Sequence, residues 1–435
     1  MYVVTAEILI LNREAIALAA DSAATLTGEK IFSSANKIFR LRSDLPVGLM
    51  IYNRADFLGI PWETVIGLYR KNDNGTVSPD LSDYGVRFIE FLSSLVTPEI
   101  EINYIQQQIM SVLGDICHEI AYTIEFIERN YTLGEEEKKE IVQNTINCHH
   151  NLWESDAVML PLIEDEDIQY VVENYSNYIN ESIELFYGEL PTTPELREKL
   201  QEIAINILIK SPKNFPHPSA SGLVIAGFGD DQIYPSFCSY LIVGCLNGKL
   251  VCIPHWADRI DQQKRSGVYP FAQHEMVYAF MEGIDPAYLG TLTQFHYNMF
   301  LGFPEIVYNH VKQRLLEEKI VSDIDPKIEA KILERLREVG QEEYESAEEY
   351  FRQYRHTHHS SRVMSVVSHL PKDELAAMAE TLINLTSFKR KVTMDAQTVG
   401  GPIDVAIISK KDGFVWVKRK HYFDRDLNPH YFERR

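Results

Sequence analysis

Residues 5–41 read TAEILILNREAIALAADSAATLTGEKIFSSANKIFRL, and this stretch decides the fold. It contains two apolar runs, residues 8–11 and residues 15–20, which are separated only by Asn-Arg-Glu. Two short apolar runs joined by so few polar residues predict a tight hairpin of two buried strands. The chain is therefore expected to open with the first strands of a sheet.

Two further strands are predicted after the hairpin. Residues 37–41 (KIFRL) follow a turn predicted at Gly28, and residues 47–52 (VGLMIY) lead towards a helix predicted near Ala55. Both segments are short apolar runs of the length that buried strands have. The first part of the chain is thus expected to be mainly β-structure.

A hydroxyl, a carboxylate and an ammonium group lie on these first strands, at Thr5, Asp21 and Lys37, and the strands are expected to belong to one sheet. A threonine hydroxyl is a weak nucleophile until a base removes its proton. A nearby lysine favours the developing alkoxide, an aspartate can hold that lysine, and a free α-amine with a pKa near ~8 can act as the base. If the three side chains converge, they form the N-terminal-threonine counterpart of the Ser-His-Asp arrangement.

The spacing of these residues resembles that of proteasome β-subunits, members of the N-terminal nucleophile hydrolase superfamily. Residues 15–25 (AIALAADSAAT) resemble the family's "VVLAADSRAT" signature, and residues 37–41 resemble its "KIFxI" strand. The family has sixteen positions from nucleophile to aspartate and thirty-two from nucleophile to lysine. The same spacings separate Thr5 from Asp21 and Thr5 from Lys37, without a gap.

The resemblance recurs near the C-terminus. Residues 221–230 are similar to the family's "LLVAGYD" strand, residues 374–388 to its late amphipathic helix, and residues 400–408 to its "GDGIDVAVI" strand. Residues 413–417 would form the last strand. The resemblance implies an α+β fold, a four-layer αββα sandwich. Its discontinuous core would comprise residues 1–71, 220–285 and 372–420.

Two long segments depart from the family pattern and predict helical insertions. The first, residues 72–219, has apolar positions at helical spacing over five stretches, namely 84–95, 102–131, 134–152, 167–186 and 194–209, and ends in a linker at residues 211–218. The second, residues 286–371, predicts helices around 288–300, 304–319, 326–338 and 346–354. Both insertions are expected to pack together as one helical layer, with residues 421–435 forming a basic, aromatic tail.

The resemblance also implies roles for individual residues. Thr5 would be the nucleophile once residues 1–4 were removed, Lys37 would tune it and Asp21 would orient Lys37. The backbone N–H of Asn53 would take the place of the oxyanion-binding glycine. His274 falls near a family serine, and Lys391 falls near a family aspartate, so these two positions are altered.

Two function classes fit these observations. The first is a self-processing, threonine-type endopeptidase or amidohydrolase that acts on a peptide or protein substrate. The second is a catalytically inactive proteasome-like subunit or scaffold that binds partners through its insertions. The residue before Thr5 is Val4, whose β-branched side chain is stiff where the family usually has glycine. Loss of residues 1–4 would favour the enzyme.

Composition narrows the expected partners. The formal charge of −21 argues against nucleic acid, and no window is apolar enough for a membrane span. Five cysteines without a Cys-x-x-Cys pair predict reduced thiols and a cytoplasmic protein. No cofactor is expected. The sequence has no phosphate-binding glycine loop, so any ATP-driven unfolding would belong to a separate ATPase partner.

Two further patterns bear on metal binding and assembly. His356, His358 and His359, with His369 nearby, match no standard ligand spacing, so no metal site is expected. The family stacks into closed rings, which implies a ring-type homo-oligomer for this chain.

Overall fold

The computed structural model describes residues 6–26, 30–32, 35–73, 75–213, 217, 220–393, 400–424 and 426–428. Over these residues the protein is a mixed α+β structure, and its sheets are antiparallel. None of the helices in the described ranges combines the length and the apolar composition that crossing a bilayer would require.

The strands of the described residues are, in chain order, β1 (Ala6–Asn12), β2 (Ala15–Ala20), β3 (Ala24–Leu26), β4 (Lys30–Phe32), β5 (Ile38–Arg40), β6 (Val47–Tyr52), β7 (Asp56–Phe57), β8 (Ile60–Pro61), β9 (Ala157–Met159), β10 (Lys210–Pro212), β11 (Ser221–Gly227), β12 (Ser236–Leu246), β13 (Lys249–Arg259), β14 (Ser266–Ala272), β15 (Asp404–Ser409) and β16 (Gly413–Lys418).

The helices of the same residues are α1 (Trp62–Asn72), α2 (Leu81–Ser94), α3 (Pro98–Glu128), α4 (Glu135–Glu154), α5 (Asp165–Tyr187), α6 (Pro194–Ile209), α7 (Glu275–Glu282), α8 (Pro286–Glu317), α9 (Pro326–Arg355), α10 (Ser361–Val367) and α11 (Lys372–Val392). A single π-helical turn, His356–Ser360, joins α9 to α10.

The first sheet has the strand order β14-β1-β2-β15-β16 and brings the two ends of the chain together. The predicted hairpin is confirmed, because β1 and β2 pair antiparallel with Leu9 opposite Leu18. On the other side of β2, Ala19 pairs with Val405 of β15. The strand expected from residues 400–408 therefore lies next to the hairpin, as the resemblance implies.

The second sheet has the strand order β13-β12-β11-β6-β5. The strand predicted over residues 37–41 is shorter, since β5 covers only Ile38–Arg40. Strand β11 pairs with both β6 and β12. At Gly222 the ring of Tyr52 takes the space that a Cβ atom would need, so only glycine fits there.

The two sheets pack face to face. Leu9, Leu11 and Ile16 of the first sheet share one apolar cluster with Met50 and Val224 of the second. Alternate residues of a strand point to opposite faces. Ile8 and Ile10 accordingly face away from the second sheet and belong to another cluster. This is why every residue of β1 is buried.

Helices cover the outer face of each sheet. On the first sheet, Leu375 and Ala379 of α11 and Val277 of α7 pack against the cluster that contains Ile8. On the second sheet, Trp62 of α1 and Phe88 of α2 pack on the face opposite the first sheet. The helix predicted near Ala55 begins later than expected, at Trp62, because the chain first forms the small β7–β8 hairpin.

The first insertion is a separate helical unit that packs against the ends of β12 and β13. Helices α3, α4, α5 and α6 share one apolar cluster with Val243, Leu246 and Val251. Helix α2, predicted as part of this insertion, instead packs beside α1 on the second sheet. The predicted linker 211–218 is partly strand, since Lys210–Pro212 pairs with Ala157–Met159.

Two buried carboxylates fasten this insertion to the turn between β12 and β13. Glu101 of α3 accepts hydrogen bonds from the backbone N–H groups of Asn247 and Gly248, at 3.1 and 2.6 Å. Asp167 of α5 accepts from the side chains of Asn247 (2.9 Å) and Lys249 (3.0 Å). The insertion is thus held by charge-assisted bonds as well as by its apolar core.

The second insertion contains two long helices where four were predicted. Helix α8 runs through Pro304 without a break, and α9 spans the predicted helices 326–338 and 346–354. A proline removes only one helical hydrogen bond, and α8 packs along α9 on both sides of it. The expectation of one shared helical layer is wrong, because α3–α6 lie against the second sheet whereas α10 of the second insertion lies against the first.

The substitution Asp167→Asn is expected to lower the free energy of unfolding by about 1–3 kcal/mol at neutral pH, because it weakens charge-assisted hydrogen bonds to a buried group. Burial would raise the pKa of Asp167, but its bonds to Glu164 N–H, Asn247 and Lys249 outweigh burial and lower the pKa below 3.8. The stabilisation is therefore present above about pH 4 and is lost as the pH falls through the lower folded-state value.

Urea unfolding at pH 7 and at about pH 3 would measure the difference. Asp165→Asn, at an exposed position on the same helix, is the matched control and should cost less than about 1 kcal/mol. Equal losses for the two variants would contradict the anchoring role of Asp167.

Candidate functional site

The candidate site lies where the first strands of the two sheets come together. Thr5, the predicted nucleophile, lies outside the described residues, which begin with Ala6 at the start of β1. Asp21 directly follows β2 in the first sheet, and Lys37 directly precedes β5 in the second. The expectation that one sheet carries both residues is wrong, because β2 and β5 belong to different sheets. Face-to-face packing of the two sheets nevertheless brings Asp21 and Lys37 together.

The carboxylate of Asp21 is buried and held by four hydrogen bonds. Its Oδ1 accepts from Lys37 Nζ at 2.5 Å and from the backbone N–H of Ala6 at 3.3 Å. Its Oδ2 accepts from the N–H groups of Ala23 (3.3 Å) and Gly400 (2.9 Å). Asp21 therefore orients Lys37 and also fixes the residue that follows Thr5 in the chain.

Lys37 has a second buried carboxylate beside it, which sequence reasoning missed. Glu7 Oε1 lies 3.1 Å from Lys37 Nζ, and the side chains of Glu7 and Asp21 are fully buried. The signal was present in the sequence, since Glu7 is a lone charge inside the apolar run of β1. A fully buried glutamate is rare unless it is paired.

The two carboxylates determine the charge state of Lys37. Burial alone would lower the pKa of this lysine, because a desolvated ammonium group is disfavoured. The negative charges of Glu7 and Asp21, and their hydrogen bonds, outweigh burial and raise the pKa above 10.5. At neutral pH Lys37 is an ammonium group that can stabilise negative charge beside it.

Asn53, the predicted oxyanion residue, follows the end of β6. Its φ of 69° lies in the left-handed region, which asparagine adopts more readily than most residues. Two residues earlier, the N–H of Ile51 donates to the carbonyl of Lys37 at 2.8 Å, which joins β6 to the site. Asn53 thus occupies a sharp backbone turn next to the strand that faces Lys37.

His274 is not brought into the ion cluster. It is exposed at the start of α7, its Nδ1 lies 3.1 Å from the carbonyl of Ala272, and its ring meets Tyr278 edge to face. Ala272 is the β14 partner of Ala6, so His274 lies near the first strand without contacting Lys37. The structure gives His274 no described contact with Asp21, Glu7 or Lys37.

The neighbouring Gln273 is a better candidate than His274 for contacting a bound group, and it was not predicted from the sequence. Its side chain is buried, and its Oε1 accepts from Arg390 Nε at 3.1 Å. Its Nε2 has no hydrogen-bond partner within the described part of the chain. Arg390, and not the exposed Lys391, supplies the cationic contact here and also pairs with Glu275 at 3.3 Å. A buried amide donor without a partner is available to a bound group.

An aromatic cavity opens between the edges of the two sheets, close to Tyr52. It has a volume of about 410 Å³ and is lined by His255, Trp256, Ala257, Val268, Tyr269, Pro270 and Tyr278. Tyr52 Oη lies 3.1 Å from His255 Nδ1. Burial lowers the pKa of His255 and, with the charge of Glu7, raises that of Tyr52. The imidazole is therefore neutral and accepts the tyrosine O–H.

The histidines that lie close together in the sequence form no metal site within the described residues. His356, His358 and His359 lie in the π-helical turn, and His149 and His150 lie near Glu119 (2.8 Å) and Glu202 (2.5 Å) respectively. Over the described ranges, no group of three or more His, Cys, Asp or Glu side chains has an arrangement that could hold a metal ion.

Comparisons with known proteins add no family assignment: no protein-family model matches the chain, and no curated protein matches it. The chemistry must therefore be argued from the site itself. An ammonium group oriented by two buried carboxylates can stabilise an alkoxide that forms next to it, and a left-handed backbone turn can present an N–H to an oxyanion.

Replacing Lys37 is expected to be strongly destabilising. Lys37→Met leaves two buried carboxylates without a cation and should lower the free energy of unfolding by about 3–5 kcal/mol near neutral pH. Because the folded-state pKa of Lys37 is raised, its contribution is complete below pH 10.5 and is lost only as the pH rises through the folded-state value. The loss should therefore persist from about pH 6 up to about pH 9.

Chemical denaturation of both proteins across that range would measure this. The control is Lys210→Met, since Lys210 pairs at 2.7 Å with Glu154, whose side chain is 54% exposed. Because water screens a pair with one exposed partner, this control should lose about 1 kcal/mol or less. A loss of that size for Lys37→Met as well would contradict a buried ion cluster.

Proposed function

We propose that the chain is a proteasome-like, threonine-type N-terminal nucleophile hydrolase that cleaves peptide or amide bonds with Thr5. The observation that carries the proposal is the contact of Lys37 Nζ with Asp21. The carboxylate of Asp21 also accepts a hydrogen bond from the N–H of Ala6 and so fixes the start of β1. This arrangement supports a role for Thr5 because Ala6, the residue bonded to it, donates to the same carboxylate that holds Lys37.

The chemistry would proceed in two acyl-transfer steps. The Thr5 hydroxyl loses its proton to the freed α-amine of the same residue and attacks the substrate carbonyl carbon. The protonated amine then gives its proton to the leaving nitrogen as the C–N bond breaks, which leaves an ester on Thr5. Water, deprotonated by the amine, hydrolyses that ester and restores the hydroxyl. The Lys37 ammonium group stabilises the alkoxide throughout.

Oxyanion stabilisation would come from the backbone N–H of Asn53. Preorganised N–H donors are effective because they need no reorientation when charge develops on the substrate oxygen. The left-handed φ at Asn53 and the hydrogen bond from Ile51 to Lys37 support this role, since they hold the turn close to the strand that carries the ammonium group.

The packing of the sheets supports the same family. Under this proposal the two face-to-face sheets, covered by α11 on one outer face and by α1 and α2 on the other, are the four-layer αββα sandwich of N-terminal nucleophile hydrolases. Strands β1, β2, β5 and β6 would carry the site at one end of the sandwich. The helical insertions would then lie outside the core without interrupting its sheets.

Glu7 favours the alternative, a catalytically inactive scaffold. Two buried carboxylates around one lysine make a complete structural ion cluster that could fix the fold with no chemistry at all. In that case residues 1–4 would remain on the chain, and the insertions would be the surfaces that bind its partners. Glu7 has a positioning role in either function.

Thr5→Ala separates the two functions. The wild-type protein is expected to lose residues 1–4, because self-cleavage before Thr5 is needed to free its α-amine, and to form an ester adduct with a β-lactone probe. Thr5→Ala is expected to keep residues 1–4 and to form no adduct. Intact-mass measurement and N-terminal sequencing read both outcomes directly.

Thr5→Ser is the matched variant, since it keeps a hydroxyl and should retain processing and part of the labelling. Lys37→Arg keeps the charge but not the compact ammonium group, and is expected to lower labelling by at least about 100-fold. A wild-type chain that begins with Met1 or Tyr2 and never reacts with the probe would refute the enzyme and leave the scaffold.

A further inference from the structure

The hairpin of α8 and α9 has almost no fully buried residue, although several apolar side chains are partly buried between the two helices. No residue of the 32-residue helix α8 is buried, and Gly340 is the one buried residue of the 30-residue helix α9. Yet α8 has no charged residue from Pro286 to Phe303 and is rich in aromatic side chains. An apolar helix with nothing buried indicates a surface made for another partner.

The contacts between the two helices define which faces meet. Moving from the base of the hairpin to its tip, His296 stacks on Phe351, the backbone of Phe300 touches Gly340, and Lys312 pairs with Glu329 at 2.6 Å. The helices are therefore antiparallel. A Cβ atom at position 340 would meet the carbonyl of Phe300, so glycine permits this close approach.

A second face of the hairpin is apolar and open. Its residues come about one position before those at which the two helices touch. They are Tyr288, Phe295, Met299, Phe303, Ile306 and Val307 on α8, and Ile328, Ile332, Val339, Tyr350 and Tyr354 on α9. One residue earlier is a rotation of about 100° around a helix. In antiparallel helices that rotation turns both sets to the same side. We call this face the hairpin face.

The hairpin face is large enough for a stable interface. Its side chains are between 37% and 65% exposed. Its five aromatic side chains, at roughly half exposure and about 150–250 Å² each, leave on the order of 500 Å² open per chain, and the six aliphatic side chains enlarge this area. A standard protein interface buries about 800 Å² on each partner, whereas the largest apolar patch on a typical monomer is about 300–600 Å².

The charges along α9 indicate which partner fits. The half before Val339 has Lys327, Lys331, Arg335 and Arg337 against three glutamates, and the half after it has five glutamates against two arginines. A second copy laid antiparallel would place each positive half beside a negative half. Around Val339 the pairing is self-complementary, because Arg335 and Glu343 are equally distant from it.

The apolar residues agree with the same centre. In that register Ile328 would meet Tyr350 of the second copy. On α8, Met299 and Phe303 lie at the level of Gly340, next to Val339, and are the middle of the apolar stripe. Both stripes are thus centred on one point, as a two-fold axis requires.

We propose that a second copy of this chain binds the hairpin face, and that the two hairpins form an antiparallel four-helix bundle with Val339 at its two-fold axis. The inference is independent of the proposed hydrolase activity, since no residue of the candidate site lies on the hairpin face. It names an isologous contact, which differs from the head-to-tail contact that closes a ring.

Val339→Glu tests the interface by size. It places two like charges together at the axis and is expected to halve the mass of the assembly at a given concentration, in the simplest case from twice 50.1 kDa to 50.1 kDa. Light scattering and sedimentation would measure the mass, and circular dichroism would show that the chain stays folded. Leu185→Glu, at a 69% exposed position of α5, is the control and should change nothing.

Charge reversal tests the register. Arg335→Glu is expected to weaken association by roughly 100-fold or more, because it faces Glu343 of the second copy, and the double variant Arg335→Glu/Glu343→Arg should restore most of it. Val339→Cys should form a disulfide between copies under mild oxidation, whereas Leu185→Cys should not.

A wild-type chain that stays at 50.1 kDa at every concentration would overturn the proposal. An assembly whose mass is the same in Val339→Glu would overturn it too, and would leave the hairpin face to a different protein. A dimer that tolerates Arg335→Glu, with no cross-link at position 339, would refute the register and the two-fold centre.

Discussion

One buried ammonium group holds the two sheets together at the end where the chain begins. Lys37 enters from the second sheet and contacts Asp21 and Glu7, which both belong to the first. Removing three charges from water is costly, so the cluster is tolerated only because every partner is close and Asp21 has further N–H donors. The start of β1, the end of β2 and Gly400 meet at Asp21, whose charge this one cation compensates.

The insertions leave that core intact because each attaches at its rim. Glu101 and Asp167 hold the first insertion at the tight turn Asn247–Gly248, at the far end of β12 and β13. The second insertion leaves the core after α7 and returns through α10. Long insertions at surface turns cost little closure entropy. Helices α3–α6 and the α8–α9 hairpin therefore extend the molecule without interrupting the pairing of either five-stranded sheet.

The hairpin could be predicted from strand periodicity, which is a local signal. Its place beside β15 and the meeting of Asp21 with Lys37 were implied by the resemblance to proteasome β-subunits. Glu7 could be noticed as a lone charge in the apolar run of β1, but its partner could not be predicted. That partner, and the role of Gln273, depend on which residues the folded sheets bring beside them. The division of α8 at Pro304 and of α9 at its acidic stretch was wrong for a related reason. The proline and the acidic stretch disfavour a continuous helix locally, but packing between the two long helices outweighs them. Sequence periodicity does not measure that packing.

The charge pattern that indicates a partner for the hairpin face could also be predicted only in part from the sequence. The acidic stretch of α9 reads as a solvated helix face when it is considered alone. Only the folded hairpin shows that this stretch and the basic half before Val339 flank one apolar face, because that depends on α8 lying antiparallel to α9. Charge order along a helix acquires meaning for assembly once the helix has a defined neighbour.

The candidate site and the hairpin face share one support, helix α11. Its Arg390 holds Gln273 at the start of α7, and its Lys389 pairs at 3.1 Å with Asp285, which caps the start of α8. Helix α7 is only eight residues long and lies between those two anchors. Any tilt of the hairpin at its base must therefore act on α7 or break the Asp285 cap. Arg390 thus fixes the side chain of Gln273, and the adjacent Lys389 fixes the Asp285 cap from which the hairpin leaves the core.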